Sequence, residues 1–297
     1  MTVSRPEPDQ TPVLKPAPIP KLAGVCGWPI HHSLSPLLHT HWLREAGVRG
    51  AYVPFMVKPW EARAAFGSLA QTTISGLNVT LPLKTQAFLA ADETTDAARH
   101  IGAANCLYVR DGKLIAHNTD LEGFAAPLRA RRDDAHLSEA TALVVGAGGA
   151  SRAVIAALLD LNVPEIVMVN RTDAKAEDLV AQVGLPSVYA LPWEKRRLAV
   201  RRADIIVNAS SAGMSGYPAL DLSLASAPTH ALVYDLVYVP EVTPLLRDAR
   251  DRGLETLGGL DMLIAQARPA FELFFGTPAP KADPSDVLRR ALSSGER

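Results

Sequence analysis

Lys84 and Asp120 are the two residues of this sequence best suited to moving a proton. Lys84 ends the run Gly76-Leu77-Asn78-Val79-Thr80-Leu81-Pro82-Leu83-Lys84, in which a strand over Ile74–Val79 gives way to a helix. Thr80 is expected to cap that helix, Pro82 to sit in its first turn, and Lys84 to Ala91 to continue it. The lysine then lies at the carboxyl end of a sheet, where the helix dipole and burial would lower its pKa and suit it to general acid/base work. Asp120 follows Asn118-Thr119, where a strand turns into a helix. It is either an N-cap or the carboxylate partner of Lys84, and a lone lysine is more often simply solvent-facing.

A second kind of chemistry is written in Leu143-Val144-Val145-Gly146-Ala147-Gly148-Gly149-Ala150-Ser151, an apolar run meeting a glycine cluster before a helix over Ser151–Leu161. Gly146 permits a tight turn, Gly148 lets a pyrophosphate approach the backbone, and the helix start offers N–H groups to the anion. The bland alternative is a glycine turn that serves only helix–strand packing. Ser151 replaces the glycine or alanine usual at the third fingerprint position, and is expected to set the helix slightly farther from the strand. In NAD sites a carboxylate about 20 residues on binds the ribose 2′-OH. Here the next strand, Glu165–Asn170, ends in Asn170-Arg171-Thr172, with Lys175 one turn further. Arg171 and Lys175 would accept a 2′-phosphate, which favours NADP over NAD unless Asp173 faces the ribose. Ser33 and Ser35 share one loop, Gly27 to Pro36; they are helix caps or hydroxyls that hold a small polar ligand. His31 and His32 lack partners at metal-ligand spacing, so no metal is expected.

The elements that position these residues alternate strand and helix. Leu22–Gly27 reads as a buried strand, Leu37–Ala46 as a helix opened by Pro36, Ala51–Val57 as a strand and Trp60–Ala70 as a helix. Ile101–Val109 and Lys113–His117 frame a hairpin across Asp111-Gly112, and Leu121–Arg129 is helical. From Thr141 the alternation is regular, with further strands at Ala203–Asn208 and Ala231–Leu236, a helix at Asp173–Val183 and a final helix from Asp261 to Phe275, so a doubly wound parallel sheet is predicted. The chain has 297 residues, enough for two domains with cores of their own. Its 48% hydrophobic and 21% charged residues describe an ordinary globular protein, and a net charge of −1 argues against nucleic-acid or membrane-surface binding. Residues 1–20 hold six prolines and are expected to form a disordered or extended leader. Cys26 and Cys106 read as reduced, buried thiols, and with no secretory signal or membrane span the expected location is the cytoplasm.

Taken in order, Pro29-Ile30…His32-Ser33-Leu34-Ser35-Pro36, Gly76–Lys84, Ile101-Gly102-Ala103-Ala104-Asn105, Asn118-Thr119-Asp120…Gly123, Gly146–Ser151, Asn170-Arg171-Thr172 and Met262-Leu263-Ile264-Ala265-Gln266 resemble the NADP-dependent shikimate dehydrogenase family. The resemblance spans residues 24 to 276. It implies an α/β chain: a substrate domain over 21–120, completed by 259–297, and a Rossmann-type NADP domain over 121–258. It implies reversible, NADPH-dependent reduction of 3-dehydroshikimate to shikimate, a step of chorismate and aromatic amino-acid biosynthesis. Lys84 matches the catalytic lysine and Asp120 its partner. Ser33 and Ser35 match residues that bind the substrate carboxylate, with Thr80 and Tyr238 close by, and Asn105, Asp120 and Gln266 match residues that bind ring hydroxyls. Gly146, Ala147, Gly148, Gly149 and Ala150, then Asn170, Arg171, Thr172 and Lys175, match the cofactor loops. Leu236, Gly259 and Met262 match the nicotinamide wall, and Asp96 a cofactor-side residue. The chain departs from the pattern at Asp261, where a glycine is usual, and at Thr40. The alternatives are a quinate/shikimate enzyme using NAD, a paralogue acting on an aminated analogue, and a non-catalytic NADPH-binding regulator. The expected partners are small molecules, with no nucleic acid or membrane, and the expected state is monomer or homodimer.

Overall fold

Two six-stranded sheets follow one another along the chain in a computed structural model that describes residues 19–294. The proline-rich leader lies, through residue 18, outside the described residues, as do residues 295–297. The first sheet is built from β1 (Lys21–Gly27), β2 (Gly50–Met56), β3 (Ile74–Val79), β4 (Glu93–Thr94), β5 (Cys106–Arg110) and β6 (Lys113–His117). Between them run α1 (Ser35–Glu45), α2 (Ala62–Gly67), α3 (Lys84–Ala90) and α4 (Asp96–Ile101). The strand order is β2-β1-β3-β5-β6-β4, parallel through β1–β3 and antiparallel on either side of β5. Asp111 and Gly112 join β5 to β6 with φ of 52° and 74°, the two positive angles that a tight hairpin turn needs.

Helices α5 (Asp120–Arg129) and α6 (Asp134–Leu137) lead to the second sheet. It consists of β7 (Thr141–Val145), β8 (Glu165–Val169), β9 (Val188–Ala190), β10 (Ile205–Asn208), β11 (Leu232–Asp235) and β12 (Glu255–Leu257). These alternate with α7 (Gly149–Asp160), α8 (Asp173–Val183), α9 (Arg196–Val200) and α10 (Pro244–Asp251), and all pair in parallel in the order β12-β11-β10-β7-β8-β9. This is the doubly wound, Rossmann-type order. Its topological reversal lies between β7 and β10, which opens a crevice beyond the carboxyl ends of those strands. Two-residue alternation sends Ala142 and Val144 of β7 into a core with Phe124 and Leu158, and Leu143 and Val145 into another with Val200 and Leu246.

The chain closes with α11 (Gly259–Phe275) and α12 (Ser285–Ser294). Helix α11 returns to the first sheet, packing on β1, β3, α1 and α5. Its Phe271 and Phe274 are fully buried with Trp42 and Leu38 of α1, and each such side chain contributes about 1.5–3 kcal/mol on burial.

Several element ends differ from expectation. Thr80 does not cap α3: Leu83 holds that position without a side-chain hydrogen bond, and Pro82 lies outside the helix in a turn closed by Leu83 N–H on Thr80 O. Neither Ser33 nor Ser35 caps α1, whose cap position is Leu34 and whose first residue is Ser35. The predicted Trp60–Ala70 helix breaks into α2 and a short 3₁₀ turn at Leu69–Gln71, and residues 96–101 form α4 before β5 begins at Cys106. Asp120 is the first residue of α5 and Thr119 its cap position, so the capping role does not fall to the carboxylate.

Candidate active site

The glycine turn emerges from β7 at the crevice. Gly146 has φ of 109°, a conformation L side chains rarely adopt, and a Cβ there would lie 3.0 Å from the Ser210 nitrogen. Gly148 occupies the cap position of α7, and a Cβ on it would meet nothing within 4 Å. Ser151 belongs to this turn. It is fully buried, donates its hydroxyl to Gly146 O at 2.9 Å, and accepts from Gly148 N–H at 3.2 Å, so it ties the turn to the helix it opens. Open space over Gly148 at the start of a twelve-residue helix fits a pyrophosphate.

At the tip of β8, the Asn170 amide donates to Thr172 O at 2.8 Å, while Arg171, Thr172 and Lys175 face solvent. Asp173 is held elsewhere: its carboxylate accepts from Trp193 N–H at 2.9 Å in the segment after β9. That bond turns one Asp173 oxygen toward Trp193, and Arg171 and Lys175 beside it form no ion pair among the described residues. Leu236 follows β11, with Gly259 backed against its carbonyl and Met262 one turn along α11. Asp261 bonds within its own helix start. Exposed, it accepts from Gly258 N–H at 2.9 Å and caps α11. Asp96 stands in solvent at the start of α4, in an ion pair with Arg99, and α4 packs on α7, the helix that follows the glycine turn.

On the other wall, Lys84 is the first residue of α3, and its Nζ lies 2.5 Å from Asp120 Oδ2, both side chains largely buried. Asp120 Oδ1 accepts from the Asn105 amide at 2.8 Å. That amide also reaches Thr119 Oγ1 at 2.9 Å and Gln266 Oε1 at 3.4 Å, and Thr119 N–H returns a bond to Asn105 Oδ1 at 2.7 Å. Gln266 reaches this cluster because α5 and α11 nearly touch: a Cβ on Gly123 would lie 2.4 Å from Gln266 Cβ. Lysine, carboxylate and two amides therefore converge from α3, α5, α11 and the approach to β5.

Ser33 and Ser35 lie in the loop that opens α1, with the Ser35 N–H donating to Ser33 Oγ at 3.3 Å and Ser35 nearly buried. Tyr238 comes to the same loop from the far sheet. Its phenol, pushed up by burial, is hydrogen-bonded by the Leu34 backbone. Thr80 packs its methyl group against Gly27 at the exit of β1. Sequence reasoning missed Thr119, which joins Asn105 to Gln266, and the buried Asn208, Asp235 and Thr243, which lie behind Leu236. The available signal was a polar residue ending each of two apolar strands.

Three family models match the chain in order: the shikimate dehydrogenase substrate binding domain over residues 25–107, shikimate / quinate 5-dehydrogenase over 129–250, and the shikimate 5'-dehydrogenase C-terminal domain over 259–283. The chain is 44% identical over 277 residues to a shikimate dehydrogenase (NADP(+)) of Rhodospirillum rubrum, covering 92% of this chain and 96% of that one. It is 44% identical over 285 residues to the enzyme of that name from Paracoccus denitrificans, covering 96% and 99%. The crystal structure of shikimate 5-dehydrogenase from Thermus thermophilus, in complex with NADP(H) and shikimate, superposes with a TM-score of 0.79 at 34% identity, over 92% of this chain and 99% of that one.

Proposed function

The chain belongs to the shikimate dehydrogenase family, and we propose that it reduces 3-dehydroshikimate reversibly to shikimate with NADPH. The single observation that carries the mechanism is the Lys84–Asp120 pair, 2.5 Å apart and joined to Asn105 and through it to Gln266. Bound NADPH supplies the hydride. As the ketone carbon accepts it, charge develops on the oxygen, which needs a proton donor at hydrogen-bond distance. Lys84 gives that proton and regains it from solvent, while Asp120 holds the ammonium in place and accepts from the neighbouring ring hydroxyl. In the oxidative direction Lys84 takes the proton back.

The remaining side chains orient the ring. Asn105 and Gln266 bind hydroxyls beside Asp120, and Ser33 and Ser35, with Thr80 and Tyr238 near them, bind the carboxylate. Neither serine caps α1; Ser33 Oγ accepts from Ser35 N–H and keeps its own O–H for a carboxylate, while the Ser35 side chain is hydrogen-bonded to Tyr52. Gly146 to Ala150 seat the pyrophosphate, Asn170, Arg171, Thr172 and Lys175 take the 2′-phosphate end, and Leu236, Gly259 and Met262 line the nicotinamide. Asp96, first residue of a helix that packs on α7, stands on the cofactor side. The first sheet with α11 forms the substrate domain and the second sheet the cofactor domain, over the limits given above. No helix among the described residues is long and apolar enough to cross a membrane. Cys26 and Cys106 are free and buried, which supports work in a reducing compartment, the cytoplasm; the proposed assembly is monomer or homodimer.

Two measurements test this. Following NADPH absorbance with shikimate and quinate, each with NADP and NAD, should give turnover dominated by the shikimate–NADP pair; dominance of quinate with NAD sinks the assignment. Lys84→Ala should lower kcat by about 10²-fold or more with NADPH affinity nearly intact, and full turnover in that variant removes Lys84 from the chemistry.

A further inference from the structure

Behind the nicotinamide wall, one buried carboxylate holds three segments of chain together. Asp235, the last residue of β11, has no exposed surface. Its Oδ1 accepts from the Asn208 amide at 2.9 Å and from Val237 N–H at 3.0 Å, and its Oδ2 accepts from the Thr243 hydroxyl at 2.6 Å. Asn208, equally buried at the end of β10, carries the connection onward. Its Oδ1 accepts from Ser210 N–H at 3.1 Å and from the Ser210 hydroxyl at 2.7 Å, and its amide donates to Ala212 O at 3.0 Å. The Ser210 nitrogen is the backbone atom set against Gly146. Thr243 meanwhile caps α10 by accepting from Leu246 N–H at 3.2 Å. The segment bearing Leu236 and Tyr238 is thereby tied to the segment that abuts the glycine turn.

The chemistry of the donors explains why a carboxylate stands here. An amide, a backbone N–H and a hydroxyl all point inward, and an ionised carboxylate is an acceptor at both oxygens. An asparagine of the same shape has one acceptor atom and would turn its own donors onto one of these three. No cation offsets the charge in this network. Burial therefore pushes the carboxyl up to about 6, against the three hydrogen bonds, and a group with that cost is poorly explained as packing alone.

We propose that Asp235 is a positioning residue for hydride transfer. It fixes Leu236–Tyr238 against the glycine turn, so that the nicotinamide wall and the substrate-carboxylate contact stand in register with the pyrophosphate seat. The inference rests on the roles given above to Leu236 and Tyr238.

Asp235→Asn is the direct test, read as NADPH Kd by fluorescence titration, KM for shikimate and for NADP, kcat and Tm. The expected result is a rise of about tenfold in NADPH Kd and in the KM for shikimate, the change that a loss of 1.4 kcal/mol produces. Both constants and kcat within twofold of the wild type, with only Tm reduced, would overturn the proposal. If Asp235→Asn does not fold, Thr243→Val and Thr243→Ser decide by the same criteria: valine should raise both constants and serine, which keeps the hydroxyl, should restore them. Wild-type enzyme inactive on shikimate would instead refute the assigned reaction, and the NADPH titration would still report on Asp235.

Discussion

His39 shows how far a single residue of the substrate half departs from its ordinary chemistry. It is fully buried, neither ring nitrogen has a hydrogen-bond partner, and it stacks face to face on Tyr52 with centroids 4.0 Å apart and planes 8° apart. Burial lowers its pKa from 6.5 to about 3. The folded protein therefore refuses a proton that the unfolded chain binds. The stability this contributes is fully present above about 6.5 and is lost progressively as pH falls from there through about 3, at up to about 1.4 kcal/mol per pH unit. Asp235 acts with the opposite sign. Its raised pKa costs stability above about 6, and that cost is relieved as pH falls toward the ordinary carboxylate value of 3.8. His39→Phe keeps an aromatic ring on Tyr52 and isolates the first effect. Acid unfolding followed by circular dichroism should shift to lower pH in this variant, and an unchanged midpoint would show that the imidazole does not set acid lability.

At the scale of elements, the tie inside the glycine turn is the clearest target. Ser151→Ala removes both bonds that fasten Gly146 and Gly148 to α7, each worth about 0.5–1.5 kcal/mol net. NADPH Kd should rise about threefold to tenfold while shikimate KM changes less, and equal weakening of both would mean that the loss spreads beyond the turn. The order of strands and helices was legible because burial enforces it. The apolar runs of β7, β8, β10 and β11 and the turn at Asp111-Gly112 allow few other readings, and α8 begins and ends where its sequence places it. Lys84, Asp120, Asn105 and Gln266 were legible as a set only by resemblance, since spacing alone does not bring α3, α5 and α11 together. Thr80 was misread as a cap, and Ser33 and Ser35 stayed open between cap and ligand contact, because a cap depends on the direction in which the chain enters the helix, which neighbouring elements decide. The Asn208–Asp235–Thr243 network stayed hidden because its members are separated by 27 and 8 residues and meet only when β10 and β11 pair.

At the scale of the molecule, the two sheets are joined chiefly through α5, α7 and α11. Helix α5 packs on α11 and on α7, and Ile101 and Ala103 of the first half touch Ala153 and Ala156 of α7. Leu81, well exposed, faces Gly149 from the opposite wall, 3.9 Å from where a Cβ on that glycine would be. A joint at α5 and α11 would let one half swing on the other. Small-angle X-ray scattering should show a smaller radius of gyration with NADP and shikimate bound together than in the free enzyme, and identical curves would exclude closure. The return of α11 to the first sheet has a consequence for how the protein is made. A ribosome releases the chain from its N-terminus at about 5–20 residues per second. The strands of the first sheet are therefore synthesised long before Gly259–Phe275, and the apolar face that Phe271, Phe274 and Phe275 cover stays open throughout that interval. Every strand of the second sheet lies between Thr141 and Leu257 and is available before that helix exists. The part of the protein translated first is thus the part completed last, and the nascent chain is most exposed to aggregation at its oldest end.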